Sequence, residues 1–134
     1  MRLRAALAGA ALVGGAIATY LTVVHYAHLS PICTSGGCEK VQQSSYAKIG
    51  GIPVAVLGLV AYACVLLTAA VRGLPAAVVG AVISLSGLAF SGYLLWAQVA
   101  RIHAICQWCI GNDIVFAVVA ALCVARVLTE PEPV

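Results

Sequence analysis

The sequence predicts an all-α membrane protein: a bundle of four transmembrane helices with an extracytoplasmic loop that carries a short amphipathic helix. Three features support this fold. Of the 134 residues, 63% are hydrophobic and 8% are charged, whereas a soluble domain carries about 25% charged residues. The chain contains four apolar runs of about 20 residues, the length that crosses the hydrocarbon of a bilayer. Most charged residues lie at the ends of these runs, where a membrane protein keeps them in water.

The apolar runs cover residues 5–24, 53–71, 74–100 and 109–127. Each is predicted to be a helix, because backbone polar groups in lipid must be satisfied within their own segment. The stretch VRGLP at 71–75 predicts a tight turn between the second and third helices. The basic start and the apolar residues after it resemble a signal peptide, but the run continues to residue 24 and favours a retained helix. We expect one domain over residues 1–128 and a disordered tail over 129–134.

Basic residues divide between the two sides of the predicted bundle. Arg2, Arg4, Arg72 and Arg126 fall on one side, and Lys40, Lys48 and Arg101 fall on the other. Because Lys and Arg are in excess on the cytoplasmic side, we expect cytoplasmic termini. Residues 25–52 and 101–105 then lie on the extracytoplasmic side. The sequence has no basic stripe with interleaved aromatic residues, so the expected partner is membrane lipid and not nucleic acid.

Four cysteines form two close pairs on the extracytoplasmic side. Cys33 and Cys38 belong to the loop sequence CTSGGC, and Cys106 and Cys109 form a C-x-x-C motif at the start of the fourth helix. Unpaired N–H groups and the helix dipole stabilise a thiolate at such a position. Two pairs on a side of the membrane where disulfides persist suit thiol–disulfide exchange. The pattern favours a relay from an outer, mobile pair to an inner, fixed pair.

Two other interpretations of these cysteines remain open. Four thiolates are also a ligand set for zinc, although Cys106 is predicted to lie at the membrane surface and not in a soluble loop. The pairs could instead be structural disulfides. In either case the chain would be a non-enzymatic membrane subunit.

The chain resembles the bacterial branch of the vitamin K epoxide reductase family over nearly its whole length. The resemblance is carried by Cys33, Cys38, Ser44, GIPVAVLG at 51–58 and CQWC at 106–109. The order of the motifs is specific, because the C-x-x-C comes last, at the fourth helix. In the periplasmic disulfide oxidase B family the C-x-x-C lies in the first outer loop.

The resemblance implies an enzyme of the bacterial inner membrane that oxidises an extracytoplasmic thioredoxin-like (DsbA-like) partner and reduces a quinone, either menaquinone or ubiquinone. It implies no metal. By this resemblance Cys33 forms the mixed disulfide with the partner, Cys38 attacks Cys106, and Cys109 passes electrons to the quinone. Ser44 matches a loop residue of the family that orients the loop near the reactive site. Asp113 stands where mammalian relatives have a tyrosine that helps to hold vitamin K, so vitamin K epoxide is not a predicted substrate.

Asp113 and Trp108 are the predicted quinone contacts outside the cysteines. An acid inside a membrane helix is rare and is usually functional, so Asp113 could supply a proton to the quinone or tune the Cys109 thiolate. It could equally be a solvated acid at a helix end, paired with Arg101. Trp108 lies within the C-x-x-C motif and either contacts the quinone or belongs to the interfacial aromatic belt.

The remaining candidates have smaller predicted roles. Residues 39–49, EKVQQSSYAKI, predict a short amphipathic helix lying on the bundle. Cys64 and Cys123 lie deep in the second and fourth helices and are interpreted as small apolar residues. Three histidines near the outer face either tune a cysteine or mark the interface: His25, His28 and His103.

Overall fold

A computed structural model describes residues 2–27, 32–33, 36–37, 40 and 44–129. These residues form four long helices: α1 (Arg2–Tyr26), α2 (Val54–Ala70), α3 (Leu74–Ala97) and α4 (Gln107–Thr129). A 3-10 turn (Ser45–Ala47) and a hairpin of β1 (Lys48–Ile49) and β2 (Ile52–Pro53) precede α2, and a π-helical segment (Gln98–Ile102) extends α3. The predicted helical architecture is confirmed, with α4 beginning two residues before the predicted run.

Three of the helices are long and apolar enough to cross a membrane: α1, α3 with its extension to Ile102, and α4. Helix α2 has 17 residues, because Pro53 precedes its first turn and Val71 leaves helical geometry after its last. At 1.5 Å per residue it is about 26 Å long, slightly short of a hydrocarbon core of about 30 Å. The fourth span therefore stays a prediction.

The helices pack as a ring in which each contacts its two neighbours, with α1 between α2 and α4, and α3 between α2 and α4. The core contains Leu7, Tyr62, Val65 and Val119. Close packing depends on small residues: a Cβ at Gly87 would lie 2.5 Å from the ring of Phe116. Small residues in membrane helices let backbones approach in this way.

Two arginines cap the C-terminal end of α2. Arg4 in α1 donates from Nε to the carbonyl of Ala69 (2.7 Å) and from Nη2 to that of Ala70 (3.0 Å). Arg126 in α4 is 1% exposed and donates from Nη1 to the carbonyl of Thr68 (2.6 Å) and from Nη2 to that of Val71. The last carbonyls of a helix have no partner within it, so these two cations satisfy them. Arg4 and Arg126 therefore share one end of the bundle, as predicted.

The prediction of an amphipathic helix over residues 39–49 is wrong for residues 44–49, the C-terminal part of this range that the structure describes. Residues 45–47 make only a 3-10 turn, and Lys48–Ile49 pair antiparallel with Ile52–Pro53. Gly50 and Gly51 have φ of 58° and 83°. Positive φ at both central residues is the requirement of the type I′ hairpin turn, and glycine adopts it without strain. A helix cannot continue through this turn. Residues 38–39 and 41–43 lie outside the described residues, as do residues 130–134 of the predicted tail.

Candidate functional site

The C-x-x-C motif lies where α3 turns into α4. His103 has φ 56° and ψ 36°, the left-handed conformation, and it ends the π-helical segment. Cys106 is fully buried, and its carbonyl accepts a hydrogen bond from the N–H of Ile110 (3.0 Å). Cys106 is thus the residue that caps the N-terminus of α4, and Cys109 lies in the first turn. The predicted position of the motif at a helix N-terminus is confirmed.

The side chain of Gln98 orders this turn, and the sequence analysis missed it. Gln98 is 2% exposed, and its Oε1 accepts a hydrogen bond from the N–H of Cys106 (2.9 Å). Its backbone carbonyl accepts from the N–H groups of His103 and Ala104. The signal in the sequence that could have identified it is a glutamine at the end of an apolar helix, eight residues before Cys106.

The loop carrying Cys33 is docked on the turn. Cys33 is disulfide-bonded and packs against the cluster of Ile102 and Cys106, which Cys109 also contacts. Beside it, Trp108 donates from Nε1 to the carbonyl of Ile32 (2.5 Å). The structure thus brings Cys33, Cys106 and Cys109 together, on the same side of the bundle as predicted. Cys38 lies outside the described residues.

The aromatic ring of Trp108 contributes to this docking. It lies 4.8 Å from the ring of Tyr20, measured between centroids, and the hydroxyl of Tyr20 accepts a hydrogen bond from the N–H of Ile32 (2.9 Å). Residues from α1, the loop and α4 are therefore joined around Ile32, next to Cys33. Gly37 is also part of the contact, since a Cβ there would lie 2.5 Å from the carbonyl oxygen of Ile105.

A cavity of about 160 Å³ opens next to Cys109. All four helices and the loop line it, with mostly apolar walls that include Leu21, Leu57, Phe90, Leu94 and Phe116. Its polar lining residues are Ser44, Ser91, Gln98, Asn112 and Asp113. Ser44 and Asp113, predicted from the sequence, therefore share one cavity wall with Cys109, whereas Trp108 is not among the lining residues.

Asp113 faces the cavity and not the surrounding water. One of its carboxylate oxygens, Oδ2, is buried and has no hydrogen-bond partner within the part of the chain that the structure describes. The side chain of Ser91, which lines the same cavity, is the polar neighbour of this carboxylate. Arg101, the partner considered for a solvated acid, instead lies over the ring of Trp96, 5.7 Å from its centroid.

Tyr62 and Asn112 form a further polar pair beside the cavity that the sequence did not indicate. Tyr62 is fully buried, and its ring packs against that of Phe116 in a tilted arrangement, with 4.6 Å between the ring centroids. Its hydroxyl donates to Oδ1 of Asn112 (2.8 Å). The pair ties α2 to α4 next to Asp113. A tyrosine within an apolar helix usually finds such a partner, but the sequence does not reveal which.

The other cysteines lie away from this cluster. Cys123 is buried in the core and Cys64 is half-buried in α2. Within the described ranges, no three His, Cys, Asp or Glu side chains are placed to hold a metal ion.

The sequence profile described as the Vitamin K epoxide reductase family matches residues 5–125. That range includes all four helices almost completely, both cysteine pairs and the cavity. A comparison with curated proteins finds no match. Proteins of this family are membrane oxidoreductases that act on thiols and quinones. With its membrane-length helices and its clustered cysteines, the chain belongs to the vitamin K epoxide reductase family.

Proposed function

We propose that the protein transfers two electrons from an extracytoplasmic thioredoxin-like (DsbA-like) protein to a membrane quinone, and so supports disulfide formation in exported proteins. The observation that carries the proposal is the contact of Cys33 with the cluster of Cys106 and Cys109, together with the position of Cys109 in the cavity wall. A path of contacts thus leads from the loop to an apolar cavity.

The proposed electron path begins at the loop. A thiolate of the reduced partner attacks Cys33 in a disulfide with Cys38, and Cys38 leaves as a thiolate. The second thiol of the partner then resolves the mixed disulfide, so that the partner is oxidised and the loop pair is reduced. The loop pair reduces the Cys106–Cys109 disulfide in the same way, beginning with attack by Cys38 on Cys106. Each exchange breaks one S–S bond and forms one.

The inner pair returns to its oxidised state at the cavity. Cys106 and Cys109 together lose two electrons and two protons, and the quinone gains both as it becomes the quinol. The cavity suits a quinone head, because cavities of about 150 Å³ with apolar walls accept an aromatic ring. Its few polar groups among apolar walls are typical of a binding site that orients its ligand.

Ser44 and Asp113 are the proposed polar contacts of the quinone. Both line the cavity with Cys109, and the buried Oδ2 of Asp113 can exchange a proton with a quinone oxygen. Trp108 contacts the loop and Tyr20, so its contact with the quinone stays a prediction. Its observed neighbours support a role in holding Cys33 near Cys106.

The proposed setting is the inner membrane of a bacterium, with residues 1–128 as one domain and both termini in the cytoplasm. In support, Arg4 and Arg126 meet at one end of α2, while Cys33 and Cys106 cluster near the other end of the bundle. The excess of arginine marks the cytoplasmic side.

The test is a pair of assays on the purified protein. One uses a reduced thioredoxin-like protein as the donor and the other a small dithiol, each with menaquinone or ubiquinone, and both follow quinone absorbance. Cys106→Ala and Cys109→Ala should fail in both assays. Cys33→Ala should lose the protein donor but keep much of the small-dithiol activity, since a small molecule can reach the inner pair directly. Quinone reduction by Cys109→Ala near the wild-type rate would contradict the electron path. Absence of any turnover in the wild type would favour a non-enzymatic subunit.

A further inference from the structure

Gln98 is a buried polar residue at the end of an apolar helix, and none of the steps above uses it. It is 2% exposed at the junction of α3 and the π-helical segment. Burying an amide is unfavourable unless it is hydrogen-bonded. Gln98 meets this requirement with the N–H of Cys106, in a buried hydrogen bond of 2.9 Å that spans eight residues.

The backbone between Gln98 and Cys106 is irregular. The π-helical segment ends at His103 in the left-handed conformation, and α4 begins only at Gln107. The backbone carbonyl of Gln98 accepts hydrogen bonds from His103 and Ala104 at the start of this turn, and its side chain accepts one from Cys106 at the end. A single residue therefore holds both ends of the turn that positions the first cysteine.

We propose that Gln98 is a positioning residue for the Cys106–Cys109 pair. Its amide oxygen holds the backbone of Cys106 in the orientation from which its sulfur closes a disulfide with Cys109. The proposal rests on the proposed function only in taking these two cysteines as a redox pair. When the hydrogen bond is lost, the two sulfurs meet less often, which favours the dithiol over the disulfide.

Three substitutions separate the amide oxygen from the rest of the side chain. Gln98→Met keeps the length and removes the acceptor, and Gln98→Asn keeps an amide that is one methylene too short to reach Cys106. Gln98→Glu keeps an acceptor oxygen at the same reach. The matched control is Val99→Met, which places the same new residue in the same segment at a side chain that is 58% exposed.

The first measurement is the redox equilibrium of the pair with glutathione, in which oxidised glutathione accepts two electrons and two protons from the dithiol and becomes two reduced molecules. Mass spectrometry of the alkylated peptide that contains both cysteines gives the oxidised fraction. For Gln98→Met and Gln98→Asn we expect the disulfide to be about tenfold less stable, which corresponds to a potential about 30 mV more positive. Val99→Met should stay near the wild-type value, and Gln98→Glu, which retains an acceptor oxygen, should be shifted less than Gln98→Met.

The second measurement is quinone turnover with a small dithiol donor. A positioning role predicts a kcat about tenfold lower in Gln98→Met, with a KM for the quinone that changes less than about twofold. The first measurement needs neither quinone nor partner. It therefore tests the role of Gln98 even if the protein does not transfer electrons from a thioredoxin-like protein to a quinone.

Several outcomes would overturn the proposal. The first is an unchanged reduction potential in folded Gln98→Met. The second is a higher KM for the quinone with an unchanged potential, because that result would make Gln98 a quinone contact only. A potential shifted equally in Gln98→Met and in Val99→Met would exclude a specific role of the Gln98 amide oxygen. Thermal unfolding of each variant in detergent checks the fold, and Gln98→Asn replaces Gln98→Met where the latter does not fold.

Discussion

Gly37 lies in close contact with the backbone before the C-x-x-C motif, and this contact makes a sharp prediction. A Cβ at this residue would lie 2.5 Å from the carbonyl oxygen of Ile105 and 2.7 Å from its nitrogen. Both atoms are backbone atoms and cannot rotate away. In Gly37→Ala the loop must therefore move away from the residue that precedes Cys106.

The size of the movement follows from these distances. Real Cβ atoms essentially never approach another atom within 3.0 Å, so the loop shifts by at least the 0.5 Å that separates 3.0 Å from 2.5 Å. A misplacement of about 1 Å between reacting groups can cost about 100-fold in rate. We expect electron transfer from the loop pair to Cys106 to slow by about 10- to 100-fold.

The two-donor assay isolates this step. Gly37→Ala should oxidise the thioredoxin-like protein about 10- to 100-fold more slowly than the wild type, but its turnover with a small dithiol should stay within about twofold. Small-dithiol turnover does not need the loop, because the donor reaches Cys106–Cys109 directly.

The matched control is Gly92→Ala in α3, where a Cβ has no atom within 4 Å; it should be normal with both donors. Mass spectrometry should show that the loop disulfide still forms in Gly37→Ala. Protein-donor turnover of this variant at the wild-type rate would refute the docking of the loop as a requirement for transfer. An equal loss with both donors would show that the whole site had been disturbed.

Three further predictions concern the framework of the site. Arg126→Met removes two charge-assisted hydrogen bonds to the end of α2, each contributing about 1.5–3 kcal/mol. At about 3–5 °C per kcal/mol, the melting temperature in detergent should fall by about 10–30 °C, and by less in Arg126→Lys; an unchanged melting temperature would contradict the capping role. His103 has φ 56°, a conformation that glycine adopts easily, so His103→Gly should unfold at the same temperature as the wild type or higher. His103→Val should lose about 1–2 kcal/mol of stability. Loss of activity in a stable His103→Gly would indicate that the imidazole itself takes part. Cys64→Ala and Cys123→Ala should retain more than half of the quinone turnover, because both lie away from the cluster of Cys106, and inactive but folded variants would place them in the relay.

The sequence by itself determined the class of fold and indicated the cysteines on which the proposed chemistry rests. Long apolar runs can only be helices in lipid, and their lengths placed all four helices to within a few residues. Charge placement predicted that Arg4 and Arg126 share one end of the bundle. The two apolar runs between the cysteine pairs put Cys33 on the same side as Cys106 and Cys109, and the structure brings them into contact there. These properties follow from local sequence and from counting.

The tertiary structure decided which side chains meet. Apolar periodicity in a membrane helix does not show which face contacts a neighbouring helix, because lipid and protein interior are equally apolar. The pairing of Tyr62 with Asn112, the direction of Asp113 into the cavity and the bond from Cys106 to Gln98 therefore needed coordinates. The hairpin at Gly50–Gly51 was missed for another reason: the polar pattern before it suits a helix, and only the positive φ of two successive glycines shows that the backbone reverses there.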